Sequence, residues 1–179
     1  RRLQIGNLFP PRSGDNVRLG GLPRRRVAGR PMVWRGQVGR WRMAMETDVG
    51  QVRSRNEDCV FCDEALGVAV VADGMGGHAG GQVAARLAVD ALVAHLRACV
   101  TEGGVRERDI EVAVAEANRA VFAMASSDPS LRSMGTTLVA VCLREDGTLI
   151  TCHVGDSRIY RWRDDELICM TRDHSVLRE

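Results

Sequence analysis

The sequence contains no lysine; all 25 of its Lys-or-Arg positions are arginine, a usage that reflects a GC-rich genome more than any chemistry. No apolar run approaches the roughly 18 residues that a membrane-spanning helix requires. The start of the chain lacks the apolar core and small-residue cleavage site of a secretory signal. Proline is nearly confined to the beginning, where Pro10, Pro11, Pro23 and Pro31 leave only Pro129 for the rest. The six cysteines are scattered at Cys59, Cys62, Cys99, Cys142, Cys152 and Cys169. Cys59 and Cys62 form a CxxC, but no second pair and no histidine at zinc-ligand spacing accompany it, which argues against a zinc site. Buried free thiols in a reducing cytoplasm are expected instead.

What is present is 179 residues, 45% of them hydrophobic, enough for one domain with a real core. The net charge of +2 hides an asymmetry: residues 1–42 carry 11 Arg and the single acid Asp15, while the remainder is acidic. Arg, Gly and Pro with few periodic apolar positions bury too little surface to offset chain entropy. Residues 1–41 are therefore read as a disordered basic tail, and residues 42–179 as the domain, with a natural start at Met43 or Met45. Such a tail has the charge to bind nucleic acid or acidic lipid. The favoured reading is upstream sequence translated with the domain, so no nucleic-acid or membrane partner is expected. Because the chain opens on Arg1, a fragment or a processed product is expected.

Beyond the tail the pattern is regular. Residues 58–62 read as a short strand, and the β-branched run 67–72 (GVAVVA) as a buried one. A glycine-rich loop leads to a predicted helix over 82–99, with Val83, Leu87, Ala91, Leu92, Leu96 and Cys99 as its apolar stripe. A second helix is predicted over 109–127, with Ile110, Val114, Val121 and Met124 inward and Asp128-Pro129 as its stop. Strands are predicted over 137–143 and 149–154 across an Asp-Gly turn, and over 158–163 and 166–170 across Asp164-Asp165. Hairpins dominate and strand–helix alternation is absent. The expected class is α+β, with antiparallel sheets flanked by antiparallel helices.

Carboxylates gather at the ends of these elements. Asp73 closes the buried strand and opens GMGGHAGG, Glu57-Asp58 begins the first strand, and Asp156 follows the strand 149–154. Adjacent antiparallel strands could bring several of them to one sheet edge. Clustered acids repel and carry a desolvation cost unless a cation sits among them, so a divalent-metal site is the natural reading.

Five blocks sharpen that reading: TDVGQVRSRNED (Thr47–Asp58), VVADGMGGHAGG (Val70–Gly81), MGTTL (Met134–Leu138), HVGDSRIY (His153–Tyr160) and TRDHS (Thr171–Ser175). In order and spacing they resemble the PPM-type (type 2C) metal-dependent Ser/Thr protein phosphatases, closest to the bacterial members. The resemblance implies a PPM-type β-sandwich, here incomplete, and hydrolysis of phosphoserine or phosphothreonine with a metal-activated water at a binuclear Mn²⁺ or Mg²⁺ centre. It implies that Asp73 bridges two ions, that the Gly74 carbonyl completes one of them, that Glu57 or Asp58 holds metal-bound water, and that Asp156 helps to bind a third, weaker ion. Arg53 would grip the substrate phosphate with its planar, permanently charged fork. His78 would either protonate the departing oxygen or only shape the loop. Phosphorylated Ser/Thr proteins are the implied substrates, a cognate Ser/Thr kinase the implied counterpart, and a cytoplasmic monomer the expected state.

Two look-alikes fall away. Gly74-Met75-Gly76-Gly77-His78-Ala79 satisfies a dinucleotide-binding pattern, but a second helix follows where that fold needs a parallel strand, and Asp73 would repel a pyrophosphate. Gly155-Asp156-Ser157 resembles an esterase serine block, yet a strand rather than a helix follows, so Ser157 is read as structural. The family's later DG-x-x-D and DN blocks, which carry further metal carboxylates, do not occur before Glu179. The alternative is therefore a non-catalytic, phosphatase-like interaction module.

Overall fold

The buried run expected over 67–72 is the axis of the molecule. The structure, a computed structural model, describes residues 34–38, 41–76, 80–100 and 104–174. It opens on a hairpin of β1 (Trp34–Val38) and β2 (Trp41–Met45), paired antiparallel from Trp34↔Met45 to Val38↔Trp41. The tail assignment over 1–41 is thus corrected at its end, where composition averaged over the Arg, Gly and Pro content hid the strand-formers Trp34, Val38 and Trp41. Residues 1–33 lie outside the described residues.

β3 (Asp58–Asp63) and β4 (Val68–Met75) form the next hairpin, turning through Gly67 at φ 64°. Both match the expected strands, with β4 running to Met75. Beyond the helices come β5 (Gly135–Thr136), β6 (Leu138–Leu143) and β7 (Leu149–Val154). β5 and β6 pair with β4 in one continuous register, Gly74↔Thr136 and Val71↔Val139, so the sheet runs β3-β4-β6-β7 with β5 extending the β4 edge. β8 (Tyr160–Arg163) and β9 (Glu166–Cys169) make a separate hairpin. Its Asp164 and Asp165 both sit at positive φ, 51° and 59°, the twist that a two-residue hairpin turn demands. Every pairing is antiparallel, as the α+β expectation required.

β4 alternates strictly: Val68, Val70, Ala72 and Gly74 are buried, whereas Val71, Asp73 and Met75 are exposed. The buried side meets α1 (Gly80–Cys99), and α2 (Glu107–Ser127) packs against α1. The α1 stripe differs from the expected one. Ala84, Ala85, Ala88, Val89, Leu92, Val93 and Leu96 are buried, and Val83, Leu87, Ala91 and Cys99 sit at its margin. Alanines let the helix approach the sheet closely, so the small residues rather than the larger Val83 and Leu87 line the contact. On α2, Ile110, Ala113 and Ala117 are buried and Val114 and Val121 pack against the core, but Met124 is exposed, correcting its inward assignment. Asp128 caps the end of α2, and its carboxylate accepts from the Ser130 amide at 2.9 Å in the 3-10 turn Pro129–Leu131. The core joins these helical faces to Leu138, Ala140 and Cys142 of β6 and Ile150 and Cys152 of β7.

Candidate metal centre

The β3–β4 register places Asp58 directly opposite Asp73. Directly opposed side chains on an antiparallel pair stand roughly 5 Å apart at Cβ, so these carboxyls face one another on the side of the sheet away from the helices. Partial loss of water, the Asp73 charge and a hydrogen bond to the Asp73 carboxyl together push Asp58 above the ordinary carboxylate range. Arg53 pulls it down and Glu57 pushes it up further. Two opposed carboxyls are oxygen donors of the kind that a hard cation takes. Of the Glu57-or-Asp58 alternatives, the structure seats Asp58 against Asp73.

Glu57 sits just behind. Its Oε2 accepts from Arg53 at 3.2 Å, with Arg53 64% exposed and Glu57 17%. Arg53 is therefore tethered at the site with most of its fork in water. The Glu57 carbonyl accepts the Gly74 amide at 3.2 Å, which locks the turn after Asp73 onto the residue before Asp58. A Cβ on Gly74 would lie 2.0 Å from the Gly81 carbonyl oxygen and 2.7 Å from that of Glu57. One on Gly81 would lie 2.9 Å from both the Gly74 carbonyl oxygen and Glu57 Oε1. Glycine is required at both positions because the β4 end, the first turn of α1 and the Glu57 strand approach backbone to backbone.

The Asp73 backbone is held from the other side by β5–β6. Its carbonyl accepts from the Thr137 amide at 2.9 Å and the Thr136 hydroxyl at 3.0 Å, and its amide donates to Thr137 Oγ1 at 3.1 Å. Thr137 Oγ1 lies 2.6 Å from Ser157 Oγ, so the residue next to Asp156 is tied to the Asp73 strand. Asp156 itself is exposed in that loop. The loop is clamped further by Arg158, which donates to both oxygens of Asp173 at 2.9 and 2.7 Å, and by the His174 amide on the Gly155 carbonyl at 3.0 Å. His153 is buried, with Nε2 2.8 Å from the Arg172 carbonyl. Ser157 faces a threonine hydroxyl, consistent with its structural role. His78 lies outside the described residues.

The structure thus brings Arg53, Glu57, Asp58, Asp73 and Gly74 together and links the Asp156 loop to them through two hydroxyls. Among the described residues, no group of three or more His, Cys, Asp or Glu closes into a metal-holding set. Sequence reasoning missed Asn56. Its Nδ2 donates to Thr47 Oγ1 at 2.7 Å and its Oδ1 accepts the Asp58 amide at 3.0 Å, fixing the approach to β3. An Asn two residues before a strand's first amide is a legible Asx-turn signal.

Comparison with known proteins agrees with this geometry. The family model for protein phosphatase 2C matches residues 51–175. The serine/threonine protein phosphatase PstP of Mycobacterium tuberculosis is 41% identical over 136 residues, covering 76% of this chain and 26% of that protein. The serine/threonine phosphatase stp of Listeria innocua is 37% identical over 139 residues, covering 74% of this chain and 54% of its own length. The catalytic domain of PstP, solved in complex with two manganese ions, superposes with a TM-score of 0.64 at 39% identity over 72% of this chain and 54% of that one. The chain therefore spans about half the length, or less, of these relatives.

Proposed function

The chain belongs to the protein phosphatase 2C family, and from that premise we propose that residues 42–179 form part of a domain that hydrolyses phosphoserine and phosphothreonine in proteins. The observation that carries the proposal is the opposed pair Asp58 and Asp73, with Arg53 tethered beside it. Asp73 and Asp58 would hold cations between them, with the Gly74 carbonyl as a further oxygen donor and Asp156 serving a third, weaker site. When bound, Mn²⁺ or Mg²⁺ supplies Lewis-acid activation of water and neutralises charge on the phosphoryl group.

The chain's own residues do the rest. Arg53, exposed and bonded to Glu57 through one nitrogen among the described residues, offers its other N–H donors to phosphate oxygens. The Glu57–Gly74 and Thr137–Asp73 hydrogen bonds hold the Asp73 carboxylate in place before substrate arrives, so little reorganisation is left for the reaction. The reading takes direct attack by water as the chemistry, phosphorylated Ser/Thr proteins as substrates and a Ser/Thr kinase as the counterpart.

The test is turnover of a phosphothreonine peptide by the complete protein with and without Mn²⁺, together with calorimetric Mn²⁺ binding. Metal-dependent turnover lost in Asp73→Asn supports the reading. Turnover that needs no divalent metal, or that survives the substitution, overturns it. The second reading, a non-catalytic phosphatase-like module, is favoured by the absence of a closed ligand set among the described residues. It predicts peptide binding without turnover at saturating Mn²⁺.

A further inference from the structure

The sheet is irregular at one residue, and that residue faces Asp73. In an antiparallel ladder two hydrogen-bonded partners exchange both of their N–H···O=C bonds. The register that pairs Gly74 with Thr136 and Val71 with Val139 sets Asp73 opposite Thr137, and the Thr137 amide donates to the Asp73 carbonyl at 2.9 Å. The return bond departs from the pattern. The Asp73 amide donates to Thr137 Oγ1 at 3.1 Å, in the place of the Thr137 carbonyl. That carbonyl accepts the Thr136 hydroxyl at 2.9 Å instead. Thr137 accordingly belongs to neither β5 nor β6.

A bond to a carbonyl would end at the backbone, whereas a hydroxyl has a further bond to make. Thr137 Oγ1 makes it to Ser157 Oγ, 2.6 Å away and adjacent in the chain to Asp156. The same loop grips the other branch of the threonine. Gly155 turns at φ 96°, and a Cβ on it would lie 2.8 Å from Thr137 Cγ2. Gly155 therefore packs on the methyl while Ser157 holds the hydroxyl. Threonine is stiff at χ1, so fixing both branches fixes the rotamer that presents Oγ1 to the Asp73 amide. The loop has its own anchors further on. Arg158 donates to both oxygens of Asp173, and the His174 amide bonds the Gly155 carbonyl at 3.0 Å.

We propose that Ser157 is a positioning residue for Asp73. Through the Thr137 hydroxyl it holds the backbone that aims the Asp73 carboxylate, and it ties the 155–157 loop to β4 as one unit. The proposal rests on the phosphatase reading in taking Asp73 as a metal ligand, and it gives Ser157 no nucleophilic part. A side chain that orients a ligand without touching the cation tunes affinity through geometry. Without the Ser157 hydroxyl, Thr137 is free to swing Oγ1 off the Asp73 amide, and the end of β4 loosens where the cation must be met.

The experiment compares the complete protein with its Ser157→Ala and Ser157→Thr variants. Calorimetry should find Mn²⁺ bound about 10-fold more weakly by Ser157→Ala, and Ser157→Thr, which keeps the hydroxyl, should recover the affinity. A lower unfolding temperature with unchanged Mn²⁺ affinity would mark a structural contact only and overturn the proposal. In EDTA, amide hydrogen exchange in the peptide holding Asp73 should be about 10-fold faster in Ser157→Ala, while the peptide holding Leu143 does not change. Equal exchange at Asp73 also overturns it. A protein that neither binds Mn²⁺ nor turns over a phosphothreonine peptide defeats the phosphatase reading, and the exchange rates then decide the link from Ser157 to Asp73 alone. If Ser157→Ala fails to fold, exchange in the unmodified protein is followed during a Mn²⁺ titration. The peptides holding Asp73 and Ser157 should gain protection with one shared midpoint, and separate midpoints refute the link.

Discussion

β3 begins and ends in aspartate, and the two ends behave oppositely. At its far end, Asp63 accepts Arg97 Nη2 at 2.7 Å and the Leu66 amide at 3.1 Å. Partial burial works against its charge, but those hydrogen bonds and the Arg97 charge win, and Asp63 is held below the usual carboxylate range. At the near end, Asp58 meets another carboxyl and is pushed above it. The residue type and the strand are shared; the partner differs. An acid that closes a turn is given its cation by the fold, whereas an acid built to hold something is set against its own kind and left short of positive charge.

The severest way to break this comparison is to remove the repulsion. Asp73→Asn should cost the complete enzyme roughly 10³-fold or more in turnover, as expected when several kcal/mol of metal-borne stabilisation is lost. The same change should leave the metal-free protein as stable as before or more so, because an amide opposite Asp58 no longer repels it. Thermal unfolding in EDTA checks that second half. A metal-free protein clearly destabilised by Asp73→Asn would mean the pair is structural, like Asp63.

The next largest effect concerns how the site is held. Gly74→Ala would drive a methyl into the Gly81 and Glu57 carbonyls at 2.0 and 2.7 Å. Those atoms are backbone and cannot rotate away, so a loss of about 3 kcal/mol is expected, seen as a lower midpoint in urea. The Asp63 end is held by a glycine as well: Gly67 turns there at φ 64°, and a Cβ on it would lie 2.4 Å from the Leu143 carbonyl oxygen. Such approaches bear on what a sequence can reveal. From β3 onward the strands, both helices and the hairpins were legible because period-2 and period-3.6 patterns and turn residues are local. Asp73 and Glu57-Asp58 also stood out, at the ends of the predicted strands, although β4 runs on to Met75. The Thr137–Asp73 and Thr137–Ser157 hydrogen bonds join residues 64 and 20 positions apart, so they had no local signature; the Gly74–Gly81 approach is close in sequence but depends on how α1 folds back onto the end of β4. The α1 stripe was misjudged for a related reason. Which side of a helix is buried depends on how closely the sheet approaches, and the alanines that permit that approach carry little hydrophobic signal. In β1 and β2, composition outweighed a strand pattern only five residues long on each side.

Acidity separates the two ends more finely. Asp58 is raised in the folded metal-free protein, so the folded state binds that proton more tightly than the unfolded one. Its contribution to stability is fully present below the ordinary carboxylate value and is lost as pH rises through the raised one. Asp63 is lowered, so its contribution is present above the ordinary value and is lost as pH falls through the depressed one. In EDTA, Asp58→Asn should flatten the loss on the upper side of that value, and Asp63→Asn the loss on the lower side. Unfolding midpoints taken across the acid range check both. The same slope in both variants would remove the distinction between the two ends.

The smallest expected effect tests whether the Asp63 end is as purely structural as it looks. Arg97 bonds Asp63 and also lies over the Phe61 ring, 5.6 Å from its centroid. Arg97 is 57% exposed while Asp63 is 16%, so solvent screens the pair from one side only. An exposed ion pair contributes up to about 1 kcal/mol, and a cation–π contact at such a site about 0.5–1 kcal/mol. Arg97→Ala should therefore cost about 1 kcal/mol in urea unfolding, and Arg97→Lys less, since a lysine keeps the charge but not the planar stack. Mn²⁺ affinity and turnover in the complete protein should not move, because β3 runs from Asp58 to Asp63 and Arg97 acts only on its distal end. A change in metal affinity on Arg97→Ala would show that strain travels along β3 from one aspartate to the other, and the two ends would have to be treated as a single coupled unit.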